Sequence, residues 1–175
     1  MPRAFIGVGS NIEPEANIRA ALGLLRKRAR VTRASTFYRT DPIGRPEQPA
    51  FRNGVFEVET SLPPAELKQV LRDIEAQLYR RRTSDKYAPR TIDLDLLLYD
   101  DLAIADEGLT LPDPDIERRA FLAIPLCELA PDGVLPGSGR PLCEVAARFT
   151  DYGLQPLEAY TRELRDEIGD GSGEG

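Results

Sequence analysis

The chain has 175 residues, 41% of them hydrophobic and 30% charged, which suits one soluble globular domain of ordinary size. Its formal net charge of −6 argues against a nucleic-acid partner. It contains no histidine, which excludes imidazole metal sites and a histidine base, so any metal is expected to be a hard cation such as Mg²⁺ on oxygen ligands. No apolar run approaches the roughly 18 residues of a membrane helix, and the start does not resemble a signal peptide. We therefore expect a cytoplasmic protein without a membrane partner.

The first half of the chain alternates strand and helix patterns. Residues 4–9, "AFIGVG", are typical of a buried strand, and Pro14 is suited to open the helix that follows. Apolar residues then recur at helical spacing at Ile18, Ala21, Leu22 and Leu25. Residues 31–39 predict a second strand, residues 40–51 a proline-containing loop, and residues 52–60 a third strand.

A second helix and a fourth strand complete the pattern. The helix begins at "SLPPAEL", and its apolar stripe consists of Leu67, Val70, Leu71, Ile74 and Leu78. The strand follows at residues 92–99. The order βαββαβ predicts an α+β protein with a ferredoxin-like core, in which helices cover one face of a mainly antiparallel sheet.

The remaining segments carry weaker signals. Residues 101–160 are rich in proline and are expected to wrap the core, so we predict a single domain over residues 1–160. Residues 161–175 are predicted to form an acidic, glycine-rich tail that is disordered at its end, "IGDGSGEG". The two cysteines, Cys127 and Cys143, are expected to be buried free thiols.

The fourth strand, within "PRTIDLDLLLYDD", carries two acids on one face. Asp93 and Asp95 are about 6.6 Å apart along a strand and repel by roughly 2.5 kcal/mol at an effective dielectric of 20. Strict alternation places Leu97 and Tyr99 on that same face, so the acids do not lie on a simply solvated surface. Residues 80–90 hold five basic residues and one acid, a local charge of 5 − 1 = +4. Mg²⁺ with a polyphosphate satisfies both sets of charges; ordinary surface acids on an edge strand are the alternative.

Two further motifs, "QPAFRN" and "GVGSN", bear on ligand binding. In "QPAFRN", Phe51 offers a stacking face and Asn53 an amide that both donates and accepts, as a ring-binding pocket needs; a plain loop is the alternative. "GVGSN" is not a dinucleotide or phosphate loop, because Ile12 occupies the place of the third glycine and no "GK[ST]" follows. We interpret it as a tight exit from the first strand.

These residues together resemble the 6-hydroxymethyl-7,8-dihydropterin pyrophosphokinase family. The resemblance runs from about Ala4 to about Pro131 and includes "GVGSN", "FYRTDPIG", "QPAFRN", "IEAQLYRRR", "APRTIDLDLLLY", "LPDPDIERRAF" and "PLCELAP". It implies a ferredoxin-like core and transfer of the β,γ-diphosphate of ATP to the pterin hydroxymethyl group, with release of AMP. It implies two Mg²⁺ ions, with ATP and the pterin as the molecules that are bound. No obligate protein partner is evident in the sequence.

The resemblance also implies site residues. Asp93 and Asp95 match the metal ligands, and Asp95, Arg80 and Arg90 match catalytic residues. The nucleotide-binding matches are Glu75, Arg82, Tyr87, Asp113 and Arg119. The pterin-binding matches are Thr40, Asp41, Ile43, Phe51, Asn53 and Phe121, with the two phenylalanines enclosing the ring. Asp113 departs from the family, which has histidine there, and a carboxylate beside phosphate would repel it. We expect Asp113 to pair with an arginine such as Arg118 or Arg119; a side chain that turns away from the phosphate is the alternative.

Three other functions remain open on the residues alone. A palm-like nucleotidyl transferase or cyclase also carries paired acids on a ferredoxin-like sheet. A non-catalytic ligand-binding or RNA-binding module is a second alternative, although the exposed aromatics and basic surface of an RNA-binding sheet are not evident. A catalytically impaired member of the family is a third, because of Asp113.

Overall fold

The computed structural model describes residues 1–42, 47–78, 91–149 and 153–170. The elements in chain order are β1 (Arg3–Ser10), α1 (Pro14–Arg26), β2 (Arg30–Ala34), β3 (Tyr38–Thr40), β4 (Phe51–Glu59), α2 (Pro64–Gln77), β5 (Asp93–Tyr99), β6 (Ile104–Asp106), β7 (Leu109–Leu111), a 3₁₀ helix (Pro114–Glu117), α3 (Ala120–Leu129), α4 (Leu142–Ala147), β8 (Gln155–Pro156) and α5 (Glu158–Asp170). No helix in these ranges is long and apolar enough to cross a membrane.

The main sheet has the order β5-β1-β4-β3-β8, with β2 also paired to β4, and its strand pairs are antiparallel. This confirms the predicted βαββαβ core. The predicted second strand is interrupted, because the backbone of Phe37 turns to α5 instead of β4. Its N–H donates to Thr161 Oγ1 at 2.9 Å, and its carbonyl accepts from Leu157 N at 2.8 Å. The interruption separates β2 from β3.

Both faces of the sheet are covered, whereas the sequence predicted helices on one face only. The predicted apolar stripes of α1 and α2 are buried against Ile6, Val8 and Phe56 on the first face. On the second face, Leu122 and Leu126 of α3 share a cluster with Val55 and with residues of α4. The proline-rich segment therefore does pack onto the core, but as helices that form a second hydrophobic layer.

A β-bulge in β5 changes which side chains share a face. Phe5 of β1 pairs with Leu98 and Ile6 pairs with Leu96, so Leu97 is an extra residue without a partner in β1. Beyond it the alternation is reversed: Leu98 joins the second-face cluster and Tyr99 the first-face core. The prediction that Tyr99 lies on the same face as Asp95 is therefore wrong.

Two further expectations need correction. The predicted tail boundary after residue 160 falls inside α5, where Thr161 and Leu164 are buried and Arg165 Nε donates to Ala34 O at 3.1 Å. Residues 171–175 lie outside the described residues. The predicted free thiols are instead a disulfide, which joins α3 to α4 through Cys127 and Cys143.

Gly54 gives a direct test of the packing between β4 and Phe37. A Cβ at this position would lie 2.5 Å from ring atoms of Phe37, which is fully buried. We expect Gly54→Ala to lower the free energy of unfolding by about 3 kcal/mol, the upper range for overpacking, as measured by urea denaturation. Gly23→Ala is the matched control, because Gly23 is exposed in α1 and a Cβ added there would meet no atom within 4 Å outside its own helix backbone; this change should stabilise the fold by about 1 kcal/mol. Equal effects of the two changes would contradict this account.

Candidate active site

A cleft of about 410 Å³ lies between one end of the second sheet face and the start of α3. Strands β1, β4 and β5 contribute its floor, and the segment from the 3₁₀ helix into α3 contributes a wall. The lining residues are Gly7, Val8, Gly9, Thr40, Asp41, Phe51, Asn53, Asp93, Asp95, Asp115, Arg118, Arg119, Phe121 and Leu122. The cleft therefore brings together eight of the residues that the sequence assigned to a site.

The paired acids of β5 lie beside a floor of bare backbone. Asp93 and Asp95 pair in register with Gly9 and Gly7 of β1, so both carboxylates extend over strand residues without side chains. A Cβ on Gly9 would lie 2.5 Å from Asn53 Oδ1, and one on Gly7 would lie 3.1 Å from Leu122 Cδ2. Glycine is thus needed at both places, for close approach of the amide and of α3. Two carboxylates that line one cleft could hold hard divalent cations.

Glu75 holds the strand that carries these acids. It is buried in α2 on the opposite face, and its Oε2 accepts from the backbone N of Leu94 at 3.0 Å. Leu94 is the residue between the two aspartates. The contact fixes the backbone between Asp93 and Asp95. Glu75 is not among the residues that line the cleft. Its predicted role beside the nucleotide stays a prediction.

The other end of the cleft has the features of a ring-binding pocket. Phe51 at the start of β4 and Phe121 near the start of α3 both line it and are half-buried. Asn53 is buried, and its Nδ2 donates to Thr40 Oγ1 at 2.6 Å, which fixes the plane of the amide. A flat ligand between the two aromatic side chains would meet both donor and acceptor atoms at its edge.

Asp113 does not line the cleft and, within the part of the chain that the structure describes, does not pair with an arginine. Its Oδ1 accepts from the backbone N of Asp115 at 2.9 Å and so caps the 3₁₀ helix, while its own N–H donates to Leu97 O at 3.0 Å. Arg118, one of the two expected partners, contacts Asp115 instead, with 3.6 Å between Nη1 and Oδ1. The expected pairing is therefore wrong, because a nearby backbone N–H satisfies the carboxylate locally.

Asp113 should make stability depend on pH. Burial raises the pKa of this carboxyl above its ordinary value of 3.8, and the charges of Asp115 and Asp93 add to the rise, although the bond from Asp115 N opposes it. A raised folded-state pKa means that the protonated form is favoured by folding, so stability falls as pH rises above about 4. An asparagine at this position would keep the capping oxygen without titrating. The gain in Tm on Asp113→Asn should therefore be larger at pH 7 than at pH 4, by calorimetry in EDTA; a pH-independent difference would contradict this.

Five predicted residues lie outside the described part of the chain: Ile43, Arg80, Arg82, Tyr87 and Arg90. Conversely, the sequence reasoning did not assign Gly7, Gly9, Asp115 or Arg118 to the site. Two glycines two residues apart in a strand were a signal of close backbone approach on one face. The expectation that "GVGSN" forms an exit from the first strand is wrong, because both glycines lie within β1. Nothing in the local sequence distinguished Asp115 and Arg118 from surface charges.

Comparison with known proteins identifies the family of this chain. The family model for 7,8-dihydro-6-hydroxymethylpterin-pyrophosphokinase (HPPK) matches residues 5–131. The chain belongs to the HPPK family. Among curated relatives of this HPPK-family chain are two named 2-amino-4-hydroxy-6-hydroxymethyldihydropteridine pyrophosphokinase. The one from Synechocystis is 40% identical over 157 residues, covering 88% of this chain and 80% of the relative. The one from Haemophilus influenzae is 37% identical over 160 residues, covering 90% and 99%.

Solved structures of the HPPK family share the fold. The wild-type Plasmodium falciparum HPPK-DHPS structure with SDX-DHP superimposes with a TM-score of 0.65 at 13% identity. The match covers 85% of this chain and 44% of that chain, so this protein spans less than half of the solved chain. At this identity the likeness concerns the fold alone, and it supports the ferredoxin-like architecture.

Proposed function

We propose that this HPPK-family chain transfers the β,γ-diphosphate of ATP to the hydroxymethyl group of 6-hydroxymethyl-7,8-dihydropterin, with Mg²⁺, in folate biosynthesis. The products are AMP and the pterin diphosphate. One observation carries the proposal: a single cleft joins the carboxylates of β5 to the pocket of Phe51, Asn53 and Phe121. Relatives of similar length, such as that of Haemophilus influenzae, bear the name of this activity. We place the enzyme in the cytoplasm, where both substrates are soluble.

The pterin pocket positions the acceptor. Phe51 and Phe121 enclose the ring, and the amide of Asn53 pairs with the donor and acceptor atoms of its edge. Thr40 holds that amide through its hydroxyl, so little rotamer freedom is lost on binding. Asp41 lines the same pocket, and Ile43 is assigned there by resemblance. A ring held in this way directs its hydroxymethyl group toward the carboxylate end of the cleft.

The carboxylate end suits Mg²⁺. Asp93 is half-buried and Asp95 exposed, and both offer oxygen ligands over the glycine floor. Mg²⁺ is commonly bound through one or two carboxylates together with substrate phosphates and water, so a pair of aspartates suits it. Mg²⁺ bound there would neutralise the phosphates and align the transferred group. Asp93 and Asp95 would hold the ions, and Glu75 would hold the strand.

The basic residues act on the transferred group. Arg119, at the start of α3, faces the cleft, and a guanidinium offers forked donors to phosphate oxygens. Arg80, Arg82, Tyr87 and Arg90 are assigned by resemblance and lie outside the described residues. Transfer of this kind depends on positioning and charge stabilisation more than on a strong base, which is consistent with a chain that lacks histidine.

A product assay tests the proposal. Incubation with ATP, Mg²⁺ and the pterin alcohol should release AMP, detected by ion-exchange chromatography, in amounts equal to the pterin consumed. Omission of the pterin, or addition of EDTA, should stop AMP release. ADP as the product would indicate transfer of a single phosphoryl group, and a cyclic nucleotide formed without pterin would indicate a palm-like cyclase; either would overturn the proposal.

A further inference from the structure

An ion pair on the wall of the cleft has no role in the reaction as described so far. Asp115 lies in the 3₁₀ helix and Arg118 directly after it, and both line the same cleft as Asp93 and Asp95. Their side chains are 50% and 68% exposed. A purely structural pair would not need to face this cavity.

The contact between the two side chains is loose. Nη1 of Arg118 lies 3.6 Å from Oδ1 of Asp115, which is beyond the usual distance of a hydrogen bond. Exposed pairs of this kind contribute little to stability. In a closely bonded pair elsewhere in the protein, Nη1 of Arg52 lies 2.6 Å from Oε1 of Glu15. The guanidinium of Arg118 can therefore exchange its partner at low energetic cost.

The charges that line the cleft favour exchange of the Asp115 carboxylate for a phosphate oxygen as the partner of Arg118. Its described lining carries four carboxylates and two guanidinium groups, with Asp115 the one acid on the wall that also carries Arg118 and Arg119. Asp93 and Asp95 are accounted for by cations in the proposed function. The carboxylate of Asp115 faces a space that must accept a triphosphate, and Arg118 neutralises it while that space is free of anions. A phosphate oxygen is a stronger partner for a guanidinium, because the bond is charge-assisted and can be forked.

We propose that Arg118 is a polyphosphate-binding residue that exchanges Asp115 for a phosphate oxygen when the Mg²⁺ complex of ATP binds. This inference rests on the proposed function. The ligand class is a nucleoside triphosphate rather than the pterin, since the pterin ring carries no anionic group for a guanidinium to recognise. Asp115 is the competing partner. Removal of the charge on Arg118 should therefore weaken ATP binding, and removal of the charge on Asp115 should tighten it.

Calorimetric titration with the Mg²⁺ complex of α,β-methylene ATP, which cannot transfer its diphosphate, tests the exchange. Arg118→Gln should weaken binding about tenfold, with Arg118→Lys intermediate. Asp115→Asn should tighten it by a few-fold, and it keeps the backbone N–H that Asp113 accepts. Pterin affinity should be unchanged in all three. The matched control is Arg140→Gln, because Arg140 pairs with Glu117 of the same 3₁₀ helix and neither lines the cleft.

The outcomes separate this inference from the function on which it rests. If the unaltered protein binds the analogue and releases AMP from ATP, but Arg118→Gln and Asp115→Asn change affinity no more than Arg140→Gln, the exchange is wrong and the proposed function stands. The same holds if both variants change affinity in one direction, as a structural pair would. If the unaltered protein neither binds the analogue nor forms AMP, the proposed function is wrong and the exchange is wrong with it.

Discussion

Replacing Asp95 with alanine is expected to lower kcat by about a thousandfold or more. Charge neutralisation by bound cations supplies several kcal/mol of transition-state stabilisation in reactions of this type, and Asp93 alone cannot hold two ions. The KM for the pterin should change little, because the proposed ring pocket of Phe51, Asn53 and Phe121 lies at the other end of the cleft. Steady-state rates at saturating ATP and Mg²⁺ measure the effect.

The control for this variant is Asp101→Asn. Asp101 lies in an exposed turn just after β5 and does not line the cleft. The substitution therefore removes one carboxylate near the end of the same strand and leaves Asp93 and Asp95 in place. Its kcat should match that of the unaltered enzyme within about twofold, as expected for a surface charge. If Asp95→Ala retained most of its Mg²⁺-dependent activity, the assignment of the metal ligands would be wrong.

Replacing Asn53 with alanine is expected to raise the KM for the pterin about a hundredfold. Two hydrogen bonds to the ring edge are lost, at roughly 1.5 kcal/mol each in a buried site. The affinity for the Mg²⁺ complex of an ATP analogue should stay within twofold, since the amide lies with the ring pocket. Fluorescence titration with the pterin and calorimetry with the nucleotide separate the two effects.

Asn53→Ala should also destabilise the fold, because Thr40 Oγ1 loses its buried partner. Ser35→Ala controls for this loss: Ser35 is fully buried and accepts from Val55 N at 2.8 Å, and it does not line the cleft. Both variants should lose about 1–3 kcal/mol of stability, and only Asn53→Ala should lose pterin affinity. Equal pterin affinities in the two variants would show that the amide does not recognise the ring.

The core of the fold follows from sequence periodicity because burial selects it. The stripes of α1 and α2 and the βαββαβ order are each enforced by one buried face, and the structure reproduces them. The reversal in β5 could not be predicted, since a bulge at Leu97 is set by its pairing with β1 and leaves no mark in the local pattern. The continuation of α5 past residue 160 could not be predicted either, because Thr161 and Arg165 of this polar helix are held by contacts with Phe37 and β2 that are distant in sequence.

Some residues of the candidate site could be predicted from the sequence, and others could not. Asp93 and Asp95 could be found because two acids in an apolar strand contradict the local pattern, and such contradictions mark functional sites. Asp115 and Arg118 could not, because charges beside prolines are ordinary in loops. The expected partner of Asp113 was wrong because a backbone N–H two residues away is closer than any arginine that sequence proximity suggested. The disulfide joins cysteines 16 residues apart whose meeting depends on how α4 packs against α3.

The fate of the β-phosphorus of ATP tests the central claim most directly. ATP carrying radioactive phosphorus at the β position is incubated with the enzyme, Mg²⁺ and the pterin alcohol, and the products are separated by chromatography. If the cleft aligns the pterin hydroxymethyl group for attack on the β-phosphorus, all of the released label is expected in the pterin diphosphate, with unlabelled AMP in equal amount. Label recovered in ADP or in free pyrophosphate, with none on the pterin, would contradict the account.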